Sequence, residues 1–216
     1  MTHNIAELID HTLLKPEAAA ADIHKLCDEA LKHRFFSVCI NPYWIPTAKK
    51  HLAGSGVNIC TVVAFPLGAN LPQSKVAETR AAIDAGADEI DFVINIGAAR
   101  DARWDFIEHE THDIVSAAQK KAVKAILEIG YLSPEQITEA TRSVLKAGAA
   151  FVKTATGFGP SGATVEAVKL MRQAAGCCAG VKASGGIRDR VTAEAMIEAG
   201  ATRLGTSNSV AIVTTQ

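Results

Sequence analysis

The sequence predicts an α/β fold, a (β/α)8 TIM barrel in one domain over residues 1–216. Three observations predict it. Short β-prone runs alternate with stretches of helical periodicity along the chain, with no linker or low-complexity segment between them. The runs can be counted as eight. Ala85-Gly86-Ala87, Ala147-Gly148-Ala149 and Ala199-Gly200-Ala201 each join a helical stretch to a β run, where glycine suits the left-handed position that ends a helix. Alternation of this kind implies a parallel sheet, and right-handed crossovers close eight strands into a barrel. An open doubly wound sheet of fewer strands is the structural alternative.

The β runs, in order, are Ile9–Thr12, Phe36–Asn41, Asn58–Phe65, Glu89–Ile96, Lys124–Ile129, Phe151–Thr156, Val181–Ser184 and Arg203–Ser207. The first is very short. Helical spacing runs through Glu17–Lys32, Gln73–Ala85, Ser161–Ala174 and Thr192–Ala199. Ser133-Pro134-Glu135-Gln136 has the form of a capping box with proline at the first helical position. Strand alternation assigns faces. In Glu89–Ile96 the residues Ile90, Phe92, Ile94 and Ile96 share one side, and Glu89, Asp91, Val93 and Asn95 the other. A barrel buries the outer side of its strands under helices, so Asp91 is expected to point inward. The same parity turns Ser37, Cys39 and Asn41 inward, groups Lys124 with Glu128, and groups Lys153 with Phe151 and Ala155.

Composition narrows the function. The net charge is −1 and no basic cluster exists, which argues against a nucleic-acid partner. The start, Met-Thr-His-Asn-Ile-Ala-Glu-Leu, lacks the basic and apolar regions of a signal peptide. No apolar run approaches the ~18 residues of a membrane span. Five cysteines, with Cys177-Cys178 as the one close pair and no Cys-x-x-Cys, read as the reduced thiols of a cytoplasmic protein.

Two lysines carry the chemical signal. Lys153 in Phe-Val-Lys-Thr-Ala-Thr-Gly and Lys182 in Val-Lys-Ala-Ser-Gly-Gly lie inside β-prone runs that end in glycine. A buried ammonium must find a partner or lose its proton, and a neutral lysine amine attacks carbonyls. Lysines that snorkel from a surface strand are the plain alternative. Gly157-Phe158-Gly159-Pro160-Ser161-Gly162 matches Gly-x-Gly-x-x-Gly, but a dinucleotide fold wants an acidic residue ~20 positions on, where Lys182 lies. The segment therefore reads as a turn with free backbone N–H groups. Gly185-Gly186-Ile187-Arg188 and Gly205-Thr206-Ser207-Asn208-Ser209 follow the last two β runs, where barrels often hold phosphate. His109-Glu110-Thr111-His112 has the wrong spacing for zinc and reads as a polar, solvated helix segment. His11 reads as a hydrogen-bonded structural residue. No metal site and no cofactor are expected.

Five blocks, in order, carry a family resemblance: Ile9-Asp10-His11-Thr12-Leu13-Leu14, Val38-Cys39-Ile40-Asn41-Pro42, Ala87-Asp88-Glu89-Ile90-Asp91, Phe151-Val152-Lys153-Thr154-Ala155-Thr156-Gly157 and Val181-Lys182-Ala183-Ser184-Gly185-Gly186-Ile187-Arg188. The chain resembles the deoxyribose-phosphate aldolases, metal-free class I aldolases on a TIM barrel. The resemblance implies reversible cleavage of 2-deoxy-D-ribose 5-phosphate to acetaldehyde and D-glyceraldehyde 3-phosphate. It makes Lys153 the Schiff-base nucleophile, which spacing alone leaves open, and Lys182 the cation that lowers the nucleophile's pKa. Asp91 becomes the proton-transfer group, and Asp10 supports the substrate hydroxyls. Gly157, Gly185, Gly186, Arg188, Gly205 and Ser207 fall in phosphate-binding turns. Cys39 is expected inside the barrel beside the substrate, as a thiol exposed to aldehydes. Asp91→Asn is expected to keep stability to within ~1 kcal/mol. The partners implied are a small sugar phosphate and aldehydes, with homo-oligomerisation left open. Three positions depart from the family pattern: Phe158 where some members carry lysine, Asn208 where a second serine is expected, and a Val-Thr-Thr-Gln end without a terminal tyrosine. Another Schiff-base phosphosugar aldolase or transaldolase, or a barrel that only binds sugar phosphate, are the alternatives.

Overall fold

Eight parallel strands pair in strict chain order and close, the last on the first. They are β1 (Ile9–Leu13), β2 (Ser37–Ile40), β3 (Asn58–Val63), β4 (Glu89–Val93), β5 (Ala122–Ile126), β6 (Phe151–Lys153), β7 (Gly180–Ser184) and β8 (Arg203–Thr206). The structure, a computed structural model, describes residues 4–215. Met1 to His3, part of the start read against a signal peptide, and Gln216 of the tyrosine-free tail lie outside the described residues. The closed ring excludes the open doubly wound sheet.

The helices are α1 (Ala20–His33), α2 (Ile45–His51), α3 (Pro72–Ala85), α4 (Ile96–Arg100), α5 (Trp104–Ala117), α6 (Pro134–Lys146), α7 (Val165–Ala175), α8 (Arg190–Glu198) and α9 (Ser209–Thr214). Local chemistry sets their starts. Ser133 Oγ accepts from Gln136 N and the Gln136 side chain accepts from Ser133 N, the reciprocal pair expected at α6. Thr164 and Asp189 cap α7 and α8 by accepting from Ala167 N and Thr192 N, without the reciprocal bond. That moves the start of α7 four residues past the expected Ser161, because Gly157–Gly162 is turn. Gly86, Gly148 and Gly200 all have positive φ at helix ends, as the repeated junction implied.

The outward side chains of the strands and the inward stripes of the helices form one apolar layer. Ile9, Val38, Ile90, Phe92, Val152 and Val181 of the sheet meet Ile23, Ile107, Val144 and Val168 of the helices there. Each such side chain contributes about 1.5–3 kcal/mol on leaving water. A second, small apolar cluster of Leu14, Cys39, Cys60 and Val62, flanked by Phe65, lies apart from that layer. No helix among the described residues is long and apolar enough to cross a membrane.

Several strands end earlier than their β-prone residues. β3 stops at Val63, before Ala64 with φ 52°, and β5 stops at Ile126, before Glu128 with φ 54°. β4 stops at Val93, and Asn95 caps α4 by accepting from Ala98 N at 2.9 Å. Asn41 lies just past β2 and donates to the Leu14 carbonyl. Thr154 to Thr156 lie past β6. Apolar and β-branched residues continue there because the loops over the barrel mouth are themselves buried, a property periodicity does not distinguish from a strand. The expected solvation of His109–His112 is also corrected. Glu110 and Thr111 are buried, and Lys75 Nζ lies 2.8 Å from Glu110 Oε1.

Candidate active site

Strand register places the charged residues. Lys153 on β6 is the Cα partner of Lys182 on β7, and Lys182 is the partner of Arg203 on β8. Asp91 on β4 partners Lys124 on β5, and Asp10 on β1 partners Ser37 and Gly205. All share the parity that turns them into the barrel.

The side chains meet in one buried network. Asp91 Oδ2 takes both Lys153 Nζ, at 2.8 Å, and Lys182 Nζ, at 2.7 Å. Its Oδ1 takes Lys124 Nζ at 2.8 Å and the Cys60 thiol at 3.1 Å. Asp10 holds Lys182 at 2.5 Å and Arg203 at 2.9 Å, and accepts from Ser37 Oγ at 2.7 Å. Glu89 holds Lys124 at 2.6 Å and Arg203 at 3.0 Å. The carboxylates are thus Asp10, Glu89 and Asp91, and the cations Lys124, Lys153, Lys182 and Arg203, one more cation than anion. Arg203 also rests 3.5 Å from the ring centroid of Phe36.

The field is strong because water is excluded. Burial alone would raise the Asp91 carboxyl, but Lys124, Lys153 and Lys182 outweigh it and hold it well below the usual carboxylate range. Burial likewise opposes ionisation of Asp10, and Lys182, Lys124 and Arg203 overcome it. Burial would lower Lys182, but Asp10 and Asp91 raise it well above an ordinary lysine. Lys182 is therefore a fixed cation.

Above this network opens a cleft of about 380 Å³. Its wall includes Lys153, Thr156, Gly157, Phe158, Ser184 and the turns after β7 and β8. Lys153 is the one member of the network in that wall. β6 ends at Lys153, so the side chain stands at the rim of the sheet. β7 runs two residues past Lys182, and Ser184 lines the cleft while Lys182 does not. Thr154 Oγ1 accepts from Ser184 N at 2.9 Å and donates to Ser184 O at 2.8 Å, which ties the two strand ends together. Gly205 leaves room for the Lys182 stem. A Cβ there would stand 2.9 Å from Lys182 Cε and 3.0 Å from Ser184 Cβ.

The expected residues fall into two groups. Lys153, Gly157, Gly185, Gly186, Arg188, Gly205 and Ser207 line the cleft. Asp10, Cys39, Asp91 and Lys182 do not, and each is fully buried. Asp10 is enclosed by Ser37, Lys182 and Arg203, which leaves it no open side for substrate hydroxyls. Cys39 lies inside the barrel, packed with Leu14, Cys60 and Val62, and reaches the cleft only through Leu14, which lines it. A hydrogen bond with Cys60 holds the Cys39 thiol below its ordinary pKa against the effect of burial. Phe158 is half exposed and meets Phe65 edge-on at 5.4 Å, an apolar wall at the mouth. Asn208 donates its side-chain amide to the Arg188 carbonyl at 3.4 Å, bridging the last two turns.

Glu128, grouped with Lys124 by strand parity, instead accepts from Thr156 Oγ1 and N beside the cleft. Burial raises its pKa against those hydrogen bonds. Among the described residues two groupings could offer metal ligands, Cys39–Cys60–Asp91 and Asp10–Cys60–Glu89, with ligand atoms within 4.8 Å of one another. Ammonium groups already occupy their carboxylates, which disfavours a further cation. Lys15 also lines the cleft, and it, Arg203 and Thr156 were not legible as site residues. Arg203 opens a strand too short for alternation to set its face, and Lys15 and Thr156 lie in loops.

Comparison with known proteins agrees with this architecture. A family model described as DeoC/LacD family aldolase matches residues 5–212. The deoxyribose-phosphate aldolase of Geobacillus sp. (strain WCH70) is 53% identical over 214 residues, 99% of this chain and 96% of that protein. That of Clostridium perfringens (strain SM101 / Type A) is 53% identical, over 96% of this chain and 93% of that protein. The tetrameric deoxyribose phosphate aldolase from Aeropyrum pernix matches with a TM-score of 0.87 at 31% identity, covering 97% of this chain and 89% of that one.

Proposed function

This chain belongs to the DeoC/LacD family of aldolases, and from that premise we propose that it cleaves 2-deoxy-D-ribose 5-phosphate reversibly to acetaldehyde and D-glyceraldehyde 3-phosphate. Lys153 acts as the Schiff-base nucleophile. The observation that carries the assignment is its position: it joins a buried ion network at one end and opens into the cleft at the other. Lys182 is a permanent cation on the same carboxylate oxygen, a like charge that favours the proton-free amine. The network holds one cation in excess. With Lys153 set aside for the reaction, Lys124, Lys182 and Arg203 still pair every carboxylate, and Lys153 is the one network member in the cleft wall.

Lys153 Nζ adds to C1 of the open-chain sugar, and loss of water leaves an iminium. The C3 hydroxyl gives up its proton. The C2–C3 bond breaks, its electron pair moves toward the iminium, and C3 becomes the aldehyde carbon of glyceraldehyde 3-phosphate. The enamine takes a proton at C2, and water releases acetaldehyde and the free amine. Asp91 moves the protons, by direct contact with the amine that reacts. Such transfers contribute roughly 10²–10⁴-fold. The turns after β7 and β8, with Gly186, Arg188, Gly205 and Ser207, receive the phosphate at the far side of the cleft.

Borohydride reduction in the presence of acetaldehyde tests this. Mass spectrometry should place one ethyl adduct on Lys153, and Lys153→Ala should lose cleavage. An adduct on Lys182, or full cleavage by Lys153→Ala, refutes the assignment. We also propose a cytoplasmic homo-oligomer; the tetrameric Aeropyrum pernix relative supports association, and light scattering of the purified protein measures it.

A further inference from the structure

His11 is the one buried histidine among the described residues, and the chemistry above does not use it. It follows Asp10 on β1, so it points away from the barrel interior. Its Nε2 lies 2.8 Å from Glu29 Oε2 on α1, and its Nδ1 lies 2.8 Å from Ser209 Oγ at the start of α9. The ring also leans on Phe35, with centroids 5.1 Å apart. Ser209 is fully buried, and its hydroxyl lies 3.1 Å from the Thr206 carbonyl. Thr206 Oγ1 in turn donates to the Ile187 carbonyl at 2.7 Å and accepts from Asn208 N at 3.0 Å. A continuous polar chain therefore runs from α1 through β1 into the turn after β8 and across to the turn after β7.

We infer that His11 is a positioning residue that holds these two turns in place for the substrate phosphate, through Ser209 and with Glu29 bracing the ring from behind. The inference rests on the reading of those turns as the phosphate site. Donor and acceptor inventory makes the chain directional. A carboxylate only accepts, so Nε2 carries a proton toward Glu29. With a neutral ring, Nδ1 accepts from the Ser209 hydroxyl; with a charged ring, Nδ1 donates and the hydroxyl turns to Thr206. In either state Ser209 is bound on the His11 side. None of these contacts reaches Lys153 or Asp91, whereas Gly186, Arg188, Gly205 and Ser207 sit on the tethered turns and line the cleft. The chain should therefore act on phosphate affinity and leave the amine chemistry alone.

Steady-state kinetics of the parent and of His11→Phe, Ser209→Ala, the double variant and Glu29→Gln test this, on 2-deoxyribose 5-phosphate and on unphosphorylated 2-deoxyribose. His11→Phe and Ser209→Ala should each raise KM for the phosphorylated sugar by about 5- to 10-fold, the factor one net hydrogen bond supports, with kcat within about twofold. Turnover of the unphosphorylated sugar should stay within about twofold. The double variant should be no worse than either single one, as for groups acting as a unit. Glu29→Gln, whose amide oxygen can still accept from Nε2, should stay near the parent. Equal losses on both sugars, or an unchanged KM, overturn the inference. Ser209→Ala removes one oxygen, so it decides alone if His11→Phe does not fold. A parent that cleaves the phosphorylated sugar while Ser209→Ala keeps its KM refutes this inference only. A parent that cleaves neither sugar refutes the active-site reading as well.

Discussion

Replacing Asp91 by asparagine keeps the shape of the side chain and removes one charge. With three ammonium groups on the carboxylate, that change becomes large. Lys182 keeps Asp10, and Lys124 keeps Glu89. Lys153 has no other carboxylate within ion-pair distance among the described residues, so its charge is the one stripped of a partner. Removing one member of a buried pair costs about 3–5 kcal/mol, and for a chain of this size that corresponds to a fall in Tm of roughly 6–20 °C. The expectation of ~1 kcal/mol, drawn from side-chain shape, is therefore replaced. The folded-state carboxyl of Asp91 is held well below its unfolded value. Its contribution is present in full above the unfolded pKa of about 3.9 and is lost as pH falls through the folded value. Denaturant unfolding at pH 7 should show the full difference between parent and Asp91→Asn. At pH 3 the difference should shrink by about 1.3 kcal/mol, provided the folded carboxyl is still ionised there. Adduct formation with acetaldehyde should fall in parallel. A difference under about 1 kcal/mol at pH 7, or one that grows on acidification, would refute the ion-network argument.

Three further outcomes follow from particular contacts. Gly186 has φ +78° with open space beside it, so Gly186→Val strains the turn without a clash and should raise KM for 2-deoxyribose 5-phosphate while acetaldehyde self-addition changes little; equal slowing of both reactions would place the phosphate elsewhere. Phe158→Lys adds a half-exposed cation to the cleft mouth and should improve discrimination for the phosphorylated sugar by about 1 kcal/mol or less, read as the ratio of kcat/KM values. Glu110→Leu leaves Lys75 buried with only the Val93 carbonyl, at 2.8 Å, and should destabilise by about 3–5 kcal/mol, whereas Lys75→Met with Glu110→Leu should recover part of the loss in the same unfolding assay, since Asn95 N, which donates to Glu110 at 3.0 Å, stays without its acceptor.

Legibility differed by residue. Asp91 inward and Ile90 and Phe92 outward follow from alternation, because a barrel strand has one side for helices and one for its own centre. The capping box at Ser133 and the glycine ends of α3 and α6 were readable because both are local in sequence. The ends of β3, β4, β5 and β6 were not. Residues such as Ala64, Glu128 and Thr154 to Thr156 are buried in loops, and burial selects the same residue types that strands do. Glu110 was hidden between two exposed histidines, since its partner Lys75 lies 35 positions away on another helix. Arg203 joined the network without any signal in its own segment.

The sequence by itself determined the barrel, the inward face of each clearly alternating strand, and the presence of two lysines at matching places before glycine turns. Those are properties of period and local chemistry, and they survive in one dimension. Only the tertiary structure decided that Lys153, and not Lys182, reaches the cleft. The two are neighbours in register and share a carboxylate oxygen, so spacing and strand parity do not separate them, and in one dimension only the family resemblance favoured Lys153. What separates them is surroundings: Lys153 lies in the cleft wall, whereas Lys182 is fully enclosed between Asp10 and Asp91.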